Sequence, residues 1–331
     1  MLRKGVSVTD HDRGSLREFC GRLRAGDEAT LARAISLVES DLELGTVLHS
    51  SIHAATGKAD VIGITGPPGV GKSTLIDALV TTLRSEGERV AVVAVDPSSP
   101  LSGGALLGDR TRMGRHTDDP GVFIRSVSAR GHLGGLSLNT LKILDLIDAA
   151  GWGTVILETV GAGQSETEVA DVADISVVLN APGLGDHVQS IKAGILEIAD
   201  VLVVNKSDMP QAQSTERELK AMLKLRRASE QGVPVVSTVA HEQRGITELL
   251  DAIRQRLAEK LEDPRYERRH VRCRKLLAQH LSESVKQWML NSRSPETQEL
   301  IEGVSCGVID AETALLRVMQ AGARGAINHG Q

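Results

Sequence analysis

Residues 66–74 read Gly66-Pro67-Pro68-Gly69-Val70-Gly71-Lys72-Ser73-Thr74. The spacing is GxxxxGK[ST], entered by an apolar run, VIGIT (61–65), and left by a helix-period stretch. Glycines at these places let successive backbone N–H groups converge on phosphate oxygens. A helix beginning at the lysine adds its partial positive end. Lys72 is then placed to reach the β- and γ-phosphates, and the Ser73 hydroxyl to ligate Mg²⁺. A plain Gly/Pro turn would account for the glycines, but not for a Lys-Ser pair set between a strand and a helix. The stretch reads as a nucleoside-triphosphate site.

A second constellation selects the base. Asn205-Lys206-Ser207-Asp208 follows the apolar run VLVV and fits NKxD. Guanine presents N1–H and an exocyclic amino group side by side, and one carboxylate accepts from both; adenine offers no such pair. Asp208 supplies the carboxylate, Asn205 can brace the loop, and the Lys206 stem can cover the purine face. Charge-assisted bonds of this kind contribute roughly 1.5–3 kcal/mol each, enough to separate GTP from ATP. Alone, NKxD is a common polar turn; beside a phosphate loop it is a specific signal.

Acidic residues at strand ends are the candidates for holding the metal. Asp96 ends one apolar run, Asp109 follows in the loop, and Glu158 ends another run before Thr159-Val160-Gly161-Ala162-Gly163-Gln164-Ser165-Glu166. Carboxylates beside a phosphate loop can hold Mg²⁺ or its waters. Gln164 is a candidate for orienting the attacking water, and equally for a hinge. No side chain stands out as an arginine finger, although Arg110, Arg112 and Arg115 lie in the same stretch; a charge run in a loop is usually solvated. His49 and His53, spaced i, i+4, have no adjacent acid to complete HExxH and read as a pair on a helix face rather than as metal ligands.

The elements that must carry these residues are legible in the apolar pattern. Short β-branched runs at 61–65, 89–95, 122–127, 154–160, 175–181, 201–205 and 233–239 alternate with helix-period stretches. Several are apolar on consecutive residues, as in strands buried on both faces of a parallel sheet. The helix after the phosphate loop carries Leu75, Ile76, Leu79, Val80 and Leu83 on one stripe and closes at Gly87. Asp27 can cap a helix that carries Leu31, Ile35, Leu37 and Val38. The expected fold is α/β, a doubly wound, mainly parallel sheet with a P-loop core. Helical extensions flank it: 1–57 at the N-terminus, 58–262 for the nucleotide domain, and 263–331 for a C-terminal arm.

Composition narrows the class further. The 331 residues carry a net charge of −5 and 41% hydrophobic residues, but only two Phe, two Trp and one Tyr. Disorder is disfavoured at this hydrophobicity. Binding of single-stranded nucleic acid relies on aromatic platforms, and an acidic surface repels phosphate backbones and anionic lipid. The apolar runs are too short for a membrane helix, and the N-terminal stretch lacks the apolar core of a secretory signal. Three scattered cysteines read as reduced thiols. A cytoplasmic protein is expected, with neither a nucleic-acid nor a membrane partner.

The strings GPPGVGKST, VDPSSP, SGGALLGDRTRM, ETVGAGQSE and NKSD closely resemble the MeaB/ArgK family of GTPases, chaperones of adenosylcobalamin-dependent acyl-CoA mutases. The resemblance implies that Ser73, Asp96, Asp109 and Glu158 surround Mg²⁺. It makes Asp96–Met113 the first switch and Glu158–Glu166 the second. It also implies a mutase-contacting segment at 181–192, where Asp186, Gln189 and Lys192 are retained. That segment departs from the family at Leu184, His187, Ser190 and Ala193, which bears on the identity of the mutase. The base-side loop, Ser237-Thr238-Val239-Ala240-His241, departs from the usual Ser-Ala. Val239 has no hydroxyl, while the Ala240 amide could still face guanine O6.

The resulting expectation is a Mg²⁺-dependent GTPase cycling between GTP and GDP. Lys72, Asp109, Glu158, Gln164 and Lys192 are its catalytic candidates, and intrinsic hydrolysis is slow until a partner accelerates it. With no DxHxxG string, no cobalamin site of its own is expected; the cofactor would sit on the partner mutase, of the methylmalonyl-CoA or 2-hydroxyisobutyryl-CoA type. A cobalamin adenosyltransferase is a second candidate partner. The C-terminal stripe Leu276, Leu277, Leu281, Val285, Trp288 and Met289 would in a small domain be core; on an extension off a complete sheet it must be buried elsewhere, and the family resemblance favours a homodimer. The rivals are a P-loop kinase linked to amino-acid transport, a nickel-insertion GTPase and a nucleotide-gated scaffold with negligible hydrolysis.

Overall fold

The computed structural model describes residues 10–40, 42–96, 114–128, 138–159, 165–183, 197–224 and 232–261. In the C-terminal stretch it describes 274, 277–278, 281–282, 285–286, 289–292 and 294–318. Three helices come first: α1 (Asp10–Arg24), α2 (Glu28–Ser40) and α3 (Leu42–Ile52). The α/β part follows as β1 (Asp60–Thr65), α4 (Lys72–Ser85), β2 (Val90–Asp96), β3 (Val122–Ser128), α5 (Leu138–Ala149), β4 (Thr154–Thr159), α6 (Ser165–Val172) and β5 (Ile175–Asn180). It ends with β6 (Val201–Val204), α7 (Ala212–Lys224), β7 (Val235–Ser237) and α8 (Ile246–Leu261), and α9 (Pro295–Ser305) comes later in the chain.

The strands form one seven-stranded sheet in the order β3-β2-β4-β1-β5-β6-β7. Every described ladder is parallel. Each apolar run of the sequence became a strand: β1 gains Asp60, β2 is shifted by one to end on Asp96, β3 gains Ser128, and β4, β5 and β6 each lose their last residue. The largest trim is at 233–239, where only Val235–Ser237 pairs. Pro234 has no N–H to give a ladder; its carbonyl instead accepts from Leu202 N–H at 2.9 Å.

Alternate residues of each strand feed opposite cores. On β2, Ala91, Val93 and Val95 join one cluster and Val90 and Val92 the other. The first cluster also contains Leu23, Leu31, Ile35, Leu48 and Ile52 from α1–α3, together with Ile143, Leu146 and Ile147 of α5. The N-terminal helices therefore share a core with the sheet. The second cluster takes the α4 stripe, Leu75, Ile76, Leu79, Val80 and Leu83, with Leu249, Leu250 and Ile253 of α8. Trp152 packs near Phe123, ring centroids 5.8 Å apart, so two of the scarce aromatics are spent in the interior. The chain divides into two compact units, Met1–Arg272 and Cys273–Gln331. Among the described residues no helix is long and apolar enough to cross a membrane.

Local caps follow the sequence. Asp27 Oδ1 accepts from Thr30 N–H at 2.7 Å and starts α2 as expected. Asp148, buried at the end of α5, gathers the backbone N–H groups of Gly57, Lys58 and Ala59, which pins the approach to β1. Gly63, in the middle of β1, lies against α6: a Cβ there would strike Val169 and Ala173. Helix α6 thus sits on the strand that feeds the phosphate loop. Gly63→Ala should destabilise the fold by about 1–3 kcal/mol through overpacking, read as a lower midpoint in thermal or denaturant unfolding.

Candidate nucleotide-binding site

The site residues lie at the carboxyl ends of neighbouring strands. β1 is flanked by β4 and β5, and its end leads into the 66–71 loop. Two glycines there are sterically required. Gly66 has φ 147°, and a Cβ would approach Leu179 O to 2.5 Å; Gly71 has φ 94°, and a Cβ would approach Asn205 Nδ2 to 2.5 Å. Gly71 occupies the N-cap position of α4 and supplies no side-chain cap. The first amides of α4 therefore have no side chain competing with an anion for them.

Lys72 is buried, and its Nζ donates to Gly66 O at 2.7 Å and Pro67 O at 3.1 Å. The ammonium is held over the loop by the backbone that would cradle the phosphates. Ser73 Oγ donates to Glu158 Oε1 at 3.0 Å, joining the loop to the end of β4. Glu158 is 2% exposed and in register with Ile64 of β1. A hydroxyl and a carboxylate are hard oxygen donors. Their spacing matches the ~2.9 Å between neighbouring oxygens of an octahedral Mg²⁺ shell, so these two residues could hold that ion. One bond further ties the same strand ends: Thr159 Oγ1 donates to Thr65 Oγ1 at 3.0 Å. Asp96 closes β2 in register with Ser128. Asp109, Gln164 and Lys192 lie outside the described residues, with most of both switch stretches and the 184–192 segment.

Asn205 is the junction of the site. It is buried just past β6, and its Nδ2 donates to Val70 O at 2.9 Å. Its Oδ1 accepts from Thr238 Oγ1 at 3.1 Å and from Ala240 N–H at 3.2 Å. One carboxamide thus spans the phosphate loop and the base-side loop, as the bracing role required. The Ala240 amide expected to face guanine O6 is engaged with Asn205 instead. Thr238, 0% exposed, is a member of the site that the sequence did not single out. Its signal would have been a hydroxyl just after a strand, opposite the NKxD asparagine.

Lys206 adopts φ 56°, uncommon for a residue with a side chain, and its Nζ donates to Gly69 O at 2.8 Å. Its stem runs from the NKxD turn to the phosphate loop. Asp208 is exposed on that turn. The turn is fixed to the base-side loop by Ser207 N–H donating to Thr238 O at 3.0 Å. Val239 is buried, whereas the His241 side chain is 62% exposed and lies 3.6 Å from Glu242 Oε1.

Arg115 is committed elsewhere. Its Nε donates to Asp77 Oδ1 at 2.7 Å, on the phosphate-loop helix. His116 Nε2 lies 3.1 Å from the same oxygen. Burial, reinforced by the neighbouring Arg115 charge, pushes the imidazole below its ordinary pKa. These contacts anchor the chain to α4 where it leaves the first switch stretch.

Comparisons with known proteins show the family and the fold. The family model described as methylmalonyl-CoA mutase-associated GTPase MeaB matches residues 31–294. The chain is 48% identical over 242 residues to a putative GTPase of Pyrococcus horikoshii, covering 72% of this chain and 76% of that protein. It is 45% identical over 248 residues to the GTPase ArgK of Escherichia coli K12, covering 72% and 75%. It is 38% identical over 276 residues to the mitochondrial methylmalonic aciduria type A homolog of Mus musculus, covering 76% and 66%. The crystal structure of an LAO/AO transport system kinase superposes with a TM-score of 0.72 at 31% identity, covering 93% of this chain and 97% of that one. The chain belongs to the MeaB family of methylmalonyl-CoA mutase-associated GTPases.

Proposed function

We propose that this chain binds Mg²⁺ and GTP, hydrolyses GTP, and uses the nucleotide state to control an adenosylcobalamin-dependent acyl-CoA mutase. The observation behind the GTPase reading is the Asn205 bridge, which couples phosphate binding to base binding in one rigid unit. The mutase partner rests on family membership and on the resemblance of the switch strings, with GTP-dependent gating of cofactor loading, protection or repair as the role.

In this reading the loop amides and the α4 N-terminus neutralise the phosphates. Lys72 exchanges its bonds to Gly66 and Pro67 for phosphate oxygens. Ser73 and Glu158, with Asp96 and Asp109, would hold Mg²⁺, which would supply charge neutralisation to the phosphates. Asp208 accepts from guanine N1–H and N2–H, the Lys206 stem covers the base, and the exposed His241 is the base-side residue left to meet its edge. Gln164 orients water and Lys192 acts from the mutase-facing segment.

The dimer reading has its own support. Leu277, Leu281 and Val285 recur at i, i+4, i+8 and are 62%, 65% and 41% exposed. A helical face of this kind is covered by a second copy in a homodimer. Leu276 and Trp288 of the same stripe lie outside the described residues. A kinase is the second reading, carried by the name of the solved structure superposed above. A phosphorylated product formed without release of free phosphate would select it.

Three outcomes are expected. Asp208→Asn should lower the GTP-over-ATP preference at least ~10-fold in competition binding, since one charge-assisted bond of about 1.5–3 kcal/mol is at stake; unchanged selectivity would defeat the base assignment. Glu158→Gln should reduce Mg²⁺-dependent hydrolysis ~10-fold or more, with Mg²⁺-free GDP affinity held within about 3-fold. Equal losses in both measurements would show a folding defect rather than a metal ligand. Leu277→Asp with Leu281→Asp should convert the chain to a monomer in light scattering, because charge cannot be buried unpaired in an apolar contact; a wild-type monomer would remove the dimer.

A further inference from the structure

Outside the nucleotide site, the described residues bring together a set of donors that phosphate chemistry does not use: His49, His53 and Asp145. His49 sits in the last turn of α3, His53 opens the 3-10 turn after it, and Asp145 faces both from α5. The acid that the sequence could not supply beside the histidines therefore comes from 96 residues further on. The histidines also do not share one helix, because α3 ends at Ile52.

His49 Nε2 lies 2.7 Å from Asp145 Oδ2, and His53 Nδ1 lies 3.9 Å from the same oxygen. The three ligand atoms all fall within 4.8 Å of one another. A hydrogen bond accounts for His49 and Asp145, but 3.9 Å is too long for one, so it does not account for the approach of His53. The rings are 5.5 Å apart and tilted by 47°, with nitrogens converging on one carboxylate rather than stacking. Around a tetrahedral zinc ion, ligand atoms stand ~3.3 Å apart. The observed separations bracket that value, and small side-chain rotations reach it.

The surroundings favour a cation. His49 lies at the carboxyl end of α3 and Asp145 near that of α5, where both helix dipoles are negative. The one opposing charge beside them on α5 is Lys142, one turn before Asp145, whose Nζ is turned to Thr46 Oγ1 at 3.0 Å. Asp148, one turn after, is occupied with backbone amides. Two imidazoles and one carboxylate select zinc over the oxygen-seeking Mg²⁺. His53 is 63% exposed, which leaves the fourth coordination position to water.

We propose that His49, His53 and Asp145 form a zinc site that ties α3 to α5. Zinc takes the place of the proton shared between His49 and Asp145 and draws in His53 as third ligand. The staple holds an N-terminal helix to the helix that leads into β4, the strand carrying Glu158.

The test uses the full chain, freed of metal with chelator and saturated with Mg²⁺ and GDP so that the nucleotide site's donors are occupied. Equilibrium dialysis against Zn²⁺ should give one ion per chain with a dissociation constant at least ~10-fold lower in the wild type than in His53→Ala. Zinc should raise the melting temperature of the wild type and leave that of His53→Ala unmoved, and Co²⁺ should give tetrahedral visible absorption in the wild type alone. His53 is exposed, so the variant folds, and unchanged GDP affinity certifies it. Equal zinc affinity in wild type and His53→Ala, or no zinc bound by the wild type, would overturn the proposal.

Discussion

The nucleotide site depends on the buried carboxamide of Asn205. Its donor end holds Val70 O in the phosphate loop and its acceptor end holds Thr238 and Ala240 in the base-side loop. Each bond is worth about 1 kcal/mol net, yet leaving these buried groups unmatched would cost about 1–3 kcal/mol apiece. Both loops are therefore fixed to β6 and, through it, to each other. The same contact explains why Gly71 tolerates no side chain, since a Cβ would meet Asn205 Nδ2.

The sheet supplies the frame for that bridge. β1 stands between β4 and β5, so one phosphate loop meets Glu158 on one side and the turn after β6 lies just beyond the other. Strain and self-satisfied charge collect at the same end. Lys206 sits at positive φ, and both Lys72 and Lys206 rest their ammonium groups on loop carbonyls. A nucleotide entering this site replaces bonds that already exist, which favours ligands that return them with better partners. Phe123 and Trp152 are packed in the core, away from the phosphate-loop end of the sheet, and the side chains that meet at the loop are a carboxamide and two lysine stems.

Much of this was legible in the sequence because local rules and tertiary demands agree there. Strands buried on both faces leave unbroken apolar runs, and phosphate chemistry imposes glycines and a Lys-Ser pair at fixed spacing. Contacts set by packing between distant segments left no such trace. Asp145 meets His49 across 96 residues, and Arg115 finds Asp77 across 38. Helix patterns show which face is apolar, but not which partner helix supplies an acid. The Ala240 amide illustrates the same limit: its position after β7 was readable, whereas its engagement by Asn205 depends on where β6 ends. The sharing of one core by α1–α3 and the sheet also has no sequence signature, because an amphipathic stripe does not name what it covers.

The central claim is that a rigid junction of phosphate and base loops makes this site specific for guanine nucleotides. Calorimetric titration of the full chain with GDP and with ADP, both in excess Mg²⁺, tests it most directly. Two bonds to Asp208 at about 1.5–3 kcal/mol each predict that GDP binds at least ~100-fold more tightly than ADP. Equal affinities for the two nucleotides would contradict the account.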